Sequence, residues 1–179
     1  MRPLILGLAL LPLTLSAFPT QAQTAPAATV QKHTGILPST EVETLLPATV
    51  YFRGKTAPVQ LRNAAAVRFD DDAIFFAALV DTSGYSSNVR ERYQFYLVTE
   101  TALDIAGKHL AAGAYGCGFI DDGSFIVMDL GGNDVLSAPT AKDAALRRPR
   151  PLQILPSDTP KEFRLFLGRQ YITLKRISK

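Results

Sequence analysis

The sequence predicts a mainly β fold, a single-domain β-sandwich or partly closed β-barrel with one or two short helices. Three observations carry this. From about Val42 onward, short apolar or alternating runs are separated by Gly, Asp and Pro, which is the pattern of strands and tight turns. The chain has 179 residues, of which 47% are hydrophobic, enough for one domain with a sizeable core. It has one cysteine, Cys117, so an internal disulfide is impossible and the fold must rest on packing.

Met1–Ala22 reads as a secretory leader. Arg2 supplies the positive end, Leu4–Leu15 the apolar stretch, and Thr20-Gln21-Ala22 a small-residue cleavage site before Gln23. The apolar stretch is short for a membrane span, so no stable span is expected after cleavage. Residues 23–41 are rich in Ala, Thr, Pro and Gln and read as a flexible tail, with the domain occupying 42–179. Thr49–Phe52 and Pro58–Leu61 are expected to form a hairpin around Arg53-Gly54-Lys55. Ala65–Phe69 and Ala73–Val80 form a second around Asp70-Asp71-Asp72. The second arm, Ala73–Val80, is apolar on both faces and should be a central strand. Ser87–Arg92 fits a helical turn, with a strand from Tyr93. A turn at Gly107-Lys108 lies between Ala102–Ile105 and Leu110.

Asp122-Gly123 favours a type I′ turn. Closing a hairpin there pairs Phe119 with Ile126, Cys117 with Met128 and Tyr115 with Leu130, all on one apolar face. Gly116 and Gly118 lie on the other face, where something can approach closely, most simply another side chain of the same chain. Thr140–Arg148 is expected to be a short helix capped by Thr140. The last hairpin, Phe163–Leu167 with Gln170–Arg176, turns at Gly168-Arg169 in type II′ form. Its alternation sends Phe163, Leu165, Leu167, Ile172 and Leu174 inward, and Arg164, Phe166, Tyr171, Thr173 and Lys175 outward.

Composition narrows the chemistry. Formal net charge is +3, and the densest basic run, Arg147-Arg148-Pro149-Arg150, holds three charges. That is no nucleic-acid footprint. One cysteine and two histidines, His33 and His109, supply no zinc set. The Asp70–Asp72 and Asp121–Asp122 clusters suit turns without a calcium ion. No metal and no cofactor are expected. Cys117, on the core face, is expected to be an inert buried thiol.

Two resemblances add to this. Asp81-Thr82-Ser83-Gly84, delivered by an apolar strand, together with Phe166-Leu167-Gly168, resembles the active-site turn and the companion Gly element of retropepsin-like aspartic proteases. The resemblance implies a homodimer with Asp81 catalytic and Thr82 bracing the dimer. Ser83 stands between Thr82 and Gly84, where that family has no residue. The stretches Tyr51–Asn63 and Gly107–Gly116 resemble a family of bacterial secreted β-domain proteins, a resemblance that implies no activity. The leading expectation is a periplasmic or secreted, non-enzymatic domain that binds a small ligand, glycan or envelope partner. The residues expected to carry it are Arg164, Phe166, Arg169, Tyr171 and Lys175, aromatics beside cations. The alternative is the aspartic protease.

Overall fold

A computed structural model describes residues 34–177. The expected leader, its cleavage site and the first part of the expected tail lie outside the described residues. Strand accounts for 53% of the structure and two helices for 9%, so the fold is mainly β. Two antiparallel sheets face one another in the manner of a β-sandwich, not a closed barrel.

The first sheet has eight strands. Its main path is β1 (Gly35–Ile36), β3 (Lys55–Arg68), β4 (Ile74–Val80), β5 (Phe95–Thr99), β8 (Gly113–Phe119), β9 (Ser124–Met128) and β10 (Asp134–Pro139). β2 (Thr49–Phe52) pairs with the start of β3. The second sheet runs β12 (Leu152–Pro156), β13 (Glu162–Leu167), β14 (Gln170–Arg176), β6 (Leu103–Ile105) and β7 (Lys108–Leu110). β11 (Ala141–Lys142) joins β14 on the same side as β6. β14 is therefore the middle of this sheet.

The main core lies between the sheets. Phe75, Phe95, Leu97, Cys117, Phe125 and Val127 from the first sheet meet Leu103, Ile105, Leu165, Ile172 and Leu174 from the second. The first sheet is covered on its other face too. The β2–β3 arm and α2 (Ser87–Arg92) bury Val50, Phe52, Tyr93, Ile126 and Met128 there, and α1 (Ser39–Leu45) covers Ala66 with Val42. Burial on both sides is why β4 is apolar throughout.

Several sequence expectations need correction. Order begins before Val42, because Gly35 and Ile36 pair with Arg68 and Val67 and α1 follows. β3 runs from Lys55 to Arg68 as one strand. The register shift between Val59 and Ala64 hides its continuity by breaking the alternation. The turn beside it is two residues, Arg53 and Gly54, both at positive φ (48° and 80°), so the I′ geometry sits there.

The Asp122-Gly123 hairpin is offset by one residue. Cys117 pairs with Val127, not Met128, and Phe119 with Phe125, not Ile126. The reason is a three-residue loop. The Gly123 N–H donates to the Ile120 carbonyl at 3.1 Å, and of the loop residues only Gly123 has positive φ, 84°. This is a type I turn followed by a glycine bulge. The offset moves Ile126 and Met128 to the outer face, beside Gly116 and Gly118. Leu130 leaves the hairpin altogether: a second turn, from Asp129 to Asn133, ends β9 before it.

The expected helix at Thr140–Arg148 is absent. Thr140 donates to the Gly123 carbonyl through both its N–H and its Oγ1, each at 2.9 Å. Ala141 and Lys142 pair with β14. The Arg169 guanidinium then takes the carbonyls of Asp143, Ala144 and Leu146, at 3.4, 2.8 and 2.7 Å. A helix over 140–148 would have used the Asp143 and Ala144 carbonyls internally, so tertiary contacts override local propensity.

Candidate functional site

The expected surface on the β13–β14 hairpin is not available. The alternation is right, since Leu165, Ile172 and Leu174 face the main core. Phe166 is nevertheless 0% exposed and packs at a tilt on Tyr171, with ring centroids 5.0 Å apart. Arg164 pairs with Asp158 and lies over the Tyr171 ring at 5.5 Å. Arg169 is spent on the three carbonyls above. Of the five residues, Lys175 borders a cavity at one end of the sandwich.

That cavity is a cleft of about 250 Å³ where the two sheets meet at one end. β3 and its turn supply Arg68, Phe69 and Asp70. The turn before β13 supplies Pro160 and Lys161. β13 and β14 supply Phe163, Lys175 and Arg176. Phe69 and Phe163 make an edge-to-face pair, centroids 6.3 Å apart, forming an apolar wall. The lining also holds four cations, each with one carboxylate. Arg68 holds Glu41 and Arg176 holds Asp71. Lys161 holds Asp70 at 2.8 Å, and Lys175 approaches Asp104 at 3.5 Å. The Lys161 ammonium, by hydrogen bond and by charge, keeps the Asp70 carboxyl below its ordinary range.

The four pairs balance charge, so what distinguishes the lining is two buried donors without acceptors. The Nε–H groups of Arg68 and Arg176 are buried and have no hydrogen-bond partner. Arg68 is only 6% exposed as a whole. Leaving such a donor unmet costs on the order of 1–3 kcal/mol. Two of them in one cleft lining call for an explanation. Sequence reasoning missed the site because its residues come from four separated segments. The only local signals were an Arg at the end of an apolar strand and the Lys175-Arg176 pair.

A second, wider hollow of about 670 Å³ lies between α1, the start of the first sheet and the Leu146–Leu155 segment. Arg147, Arg148 and Arg150 stand at its rim, all exposed.

The other residues singled out from sequence have structural partners. The Asp81 carboxylate accepts the Ser83 N–H at 2.9 Å, and this contact holds its pKa below the usual value. Thr82 closes the same turn, its carbonyl taking the Tyr85 N–H at 2.9 Å. Cys117 is fully buried, and desolvation raises its thiol pKa well above the free value, which makes it inert. Gly116 and Gly118 are approached by the same chain. A Cβ on Gly116 would lie 2.4 Å from the Phe52 ring, and one on Gly118 would lie 2.3 Å from the Arg92 carbonyl oxygen. Among the described residues no helix is long and apolar enough to cross a membrane.

The fold and cleft define a class: a two-sheet antiparallel β domain with a donor-lined cleft at one end. No protein family, curated protein or solved structure matches the chain.

Proposed function

We propose that the chain is an exported, non-enzymatic binding domain whose cleft takes a small oxyanion carrying a ring or other apolar group. The observation that carries this reading is the pair of unmet guanidinium Nε–H donors, on Arg68 and Arg176, in the lining of one cleft. A carboxylate or phosphate supplies the missing acceptors through charge-assisted bonds. Each guanidinium is held by one carboxylate, Glu41 for Arg68 and Asp71 for Arg176. The Phe69–Phe163 wall covers the apolar part of the ligand.

Phenyl phosphate is a suitable probe, with benzyl alcohol and cyclohexylammonium as neutral and cationic controls. Calorimetry is expected to give saturable binding for the first alone. Arg176→Gln removes one donor and is expected to weaken that binding about tenfold. Equal affinity for phenyl phosphate and benzyl alcohol, or no loss in Arg176→Gln, would overturn the assignment.

Export rests on the Met1–Ala22 pattern. Terminal sequencing of protein recovered outside the cytoplasm is expected to start at Gln23; Met1 at that position would refute cleavage.

A further inference from the structure

We infer that the Arg147–Arg148 peptide bond is a processing site, cut by a serine endoprotease of the trypsin type, and that the cut leaves the domain assembled as two chains. The bond lies between Lys142, the end of β11, and Leu152, the start of β12. This is the longest stretch outside helix and strand among the described residues. Exposed loops of this kind are where folded domains are nicked. From Arg147 to Pro151 every residue is exposed. Arg147, Arg148 and Pro149 make no hydrogen bond and no ion pair among the described residues. A protease can therefore reshape the three residues around the bond without breaking a hydrogen bond.

Residue chemistry narrows the cut to one bond. A trypsin-type pocket holds an arginine guanidinium against a carboxylate. The next residue must then seat its backbone in the protease. Proline has no N–H and its ring fixes φ, so an Arg–Pro bond does not fit. The segment holds three arginines. Arg148 is followed by Pro149 and Arg150 by Pro151, which leaves the bond after Arg147. The other described arginines stand in β3, α2, β13 and β14, or in the two-residue turns at Arg53-Gly54 and Gly168-Arg169. There the backbone is held in a ladder, a helix or a tight turn. Among the described lysines, which such a pocket also takes, Lys161 alone lies outside a strand, and Asp70 holds its ammonium at 2.8 Å.

Hydrolysis breaks the C–N bond and adds water, leaving a carboxylate on Arg147 and an ammonium on Arg148. Both new ends stay anchored at the β13–β14 turn. On one side the Arg169 guanidinium donates to the Leu146 carbonyl at 2.7 Å. On the other the Gly168 N–H donates to the Arg150 carbonyl at 3.2 Å. The larger join is the core. β12, β13 and β14 fall in the second chain, and their Ile154, Leu165, Ile172 and Leu174 share one core with Phe75 and Phe95 of the first. The cleft is divided too, with Arg68 and Phe69 on one chain and Phe163 and Arg176 on the other. A cut domain therefore keeps its shape while folded. Once opened, its halves are separate molecules that must meet by diffusion, so refolding depends on concentration.

The test is brief digestion of the folded whole protein with trypsin, read by mass spectrometry. The first cut within 34–177 is expected after Arg147, giving a fragment that starts at Arg148. The two chains are expected to elute together on gel filtration. Arg147→Gln is expected to abolish the cut, Arg148→Gln to leave it in place, and Pro149→Ala to open the bond after Arg148. All three side chains are exposed, so the urea midpoints of the variants are expected to match the parent. After unfolding and dilution, the cut protein is expected to refold faster at higher concentration, and the uncut protein at a rate independent of it. The same fragment is expected in protein recovered from the cells that make it. A first cut elsewhere within 34–177, or persistence of the fragment in Arg147→Gln, would overturn the site. Separation of the chains in buffer would overturn the assembled form, and recovery of uncut protein alone from the cells would overturn the processing role. Phenyl phosphate binding plays no part in these outcomes, so failure here leaves the cleft reading standing.

Discussion

Tyr93 packs its ring on Phe52, centroids 4.0 Å apart, and buries its hydroxyl where no acceptor meets it. Burial also pushes its pKa up, so the group stays neutral. An unmet buried hydroxyl costs more than a missing one. Tyr93→Phe keeps the ring and removes the cost, and is expected to stabilise the domain by about 1 kcal/mol. A urea unfolding midpoint that falls in the variant would show that the hydroxyl has a partner. At this scale the sequence was legible where alternation decides and illegible where coverage does. Cys117 could be placed in the core from its position between Tyr115 and Phe119. Phe166 could be placed on the outer face of its strand, but its complete burial could not be foreseen. That burial goes with the chain from Lys142 to Arg150, which passes from one side of the β13–β14 hairpin to the other.

Among the elements, the β8–β9 hairpin teaches most. Its turn was expected to need positive φ at Asp122 and Gly123; only Gly123 has it. Gly123→Val puts a β-branched side chain at that φ and is expected to cost roughly 1–3 kcal/mol. Gly123→Asn is expected to be milder, because Asn enters this region readily. Nothing lies within 4 Å of the added Cβ, so a difference between the two isolates backbone conformation. Equal melting temperatures would remove the bulge assignment. The register was illegible for a physical reason. Both faces of the first sheet are buried, so either pairing of Cys117, with Met128 or with Val127, buries apolar side chains. Alternation then carries no information about which is right. Existence was another matter: the hairpin itself and α2 at Ser87–Arg92 follow from local residues, while the turn expected at Gly107-Lys108 falls one residue earlier, on Ala106 and Gly107, both at positive φ. The Thr140 segment failed because its acceptors are claimed by Arg169, distant in sequence.

For the whole molecule, charge sets the response to acid. Asp70, Asp81 and Asp129 all have carboxyl pKa values below the ordinary 3.8. The causes are Lys161 for the first, the Ser83 N–H for the second and the Asn133 side-chain amide for the third. A folded pKa below the unfolded one gives stability that is full above the unfolded value and is lost as pH falls through the folded one. The urea midpoint is therefore expected to hold steady from neutral pH down towards 3.8 and to decline below it. The triple variant Asp70→Asn, Asp81→Asn and Asp129→Asn should flatten that decline; an unchanged profile would place the acid response elsewhere. The two-sheet class was legible in the punctuation of short runs by Gly, Asp and Pro. The cleft was not, because it draws on four segments that only the packing of one sheet on the other brings together.

The central place of β14 in the second sheet governs the order in which the molecule can assemble. β6 and β7 form a hairpin early in the chain, yet β6 has no other neighbour until Leu103–Ile105 meets Leu174–Arg176. β11 likewise waits for Gln170 and Tyr171. While the chain emerges in sequence order, the eight-stranded sheet can pair completely, but its inner face stays uncovered. Leu165, Ile172 and Leu174 arrive last and close that face in one step. Such closure between distant segments is slow, and until it happens the apolar inner face is open to any other exposed surface. A growing chain would thus be most in need of a chaperone in the interval before Gln170–Arg176 becomes free to pair.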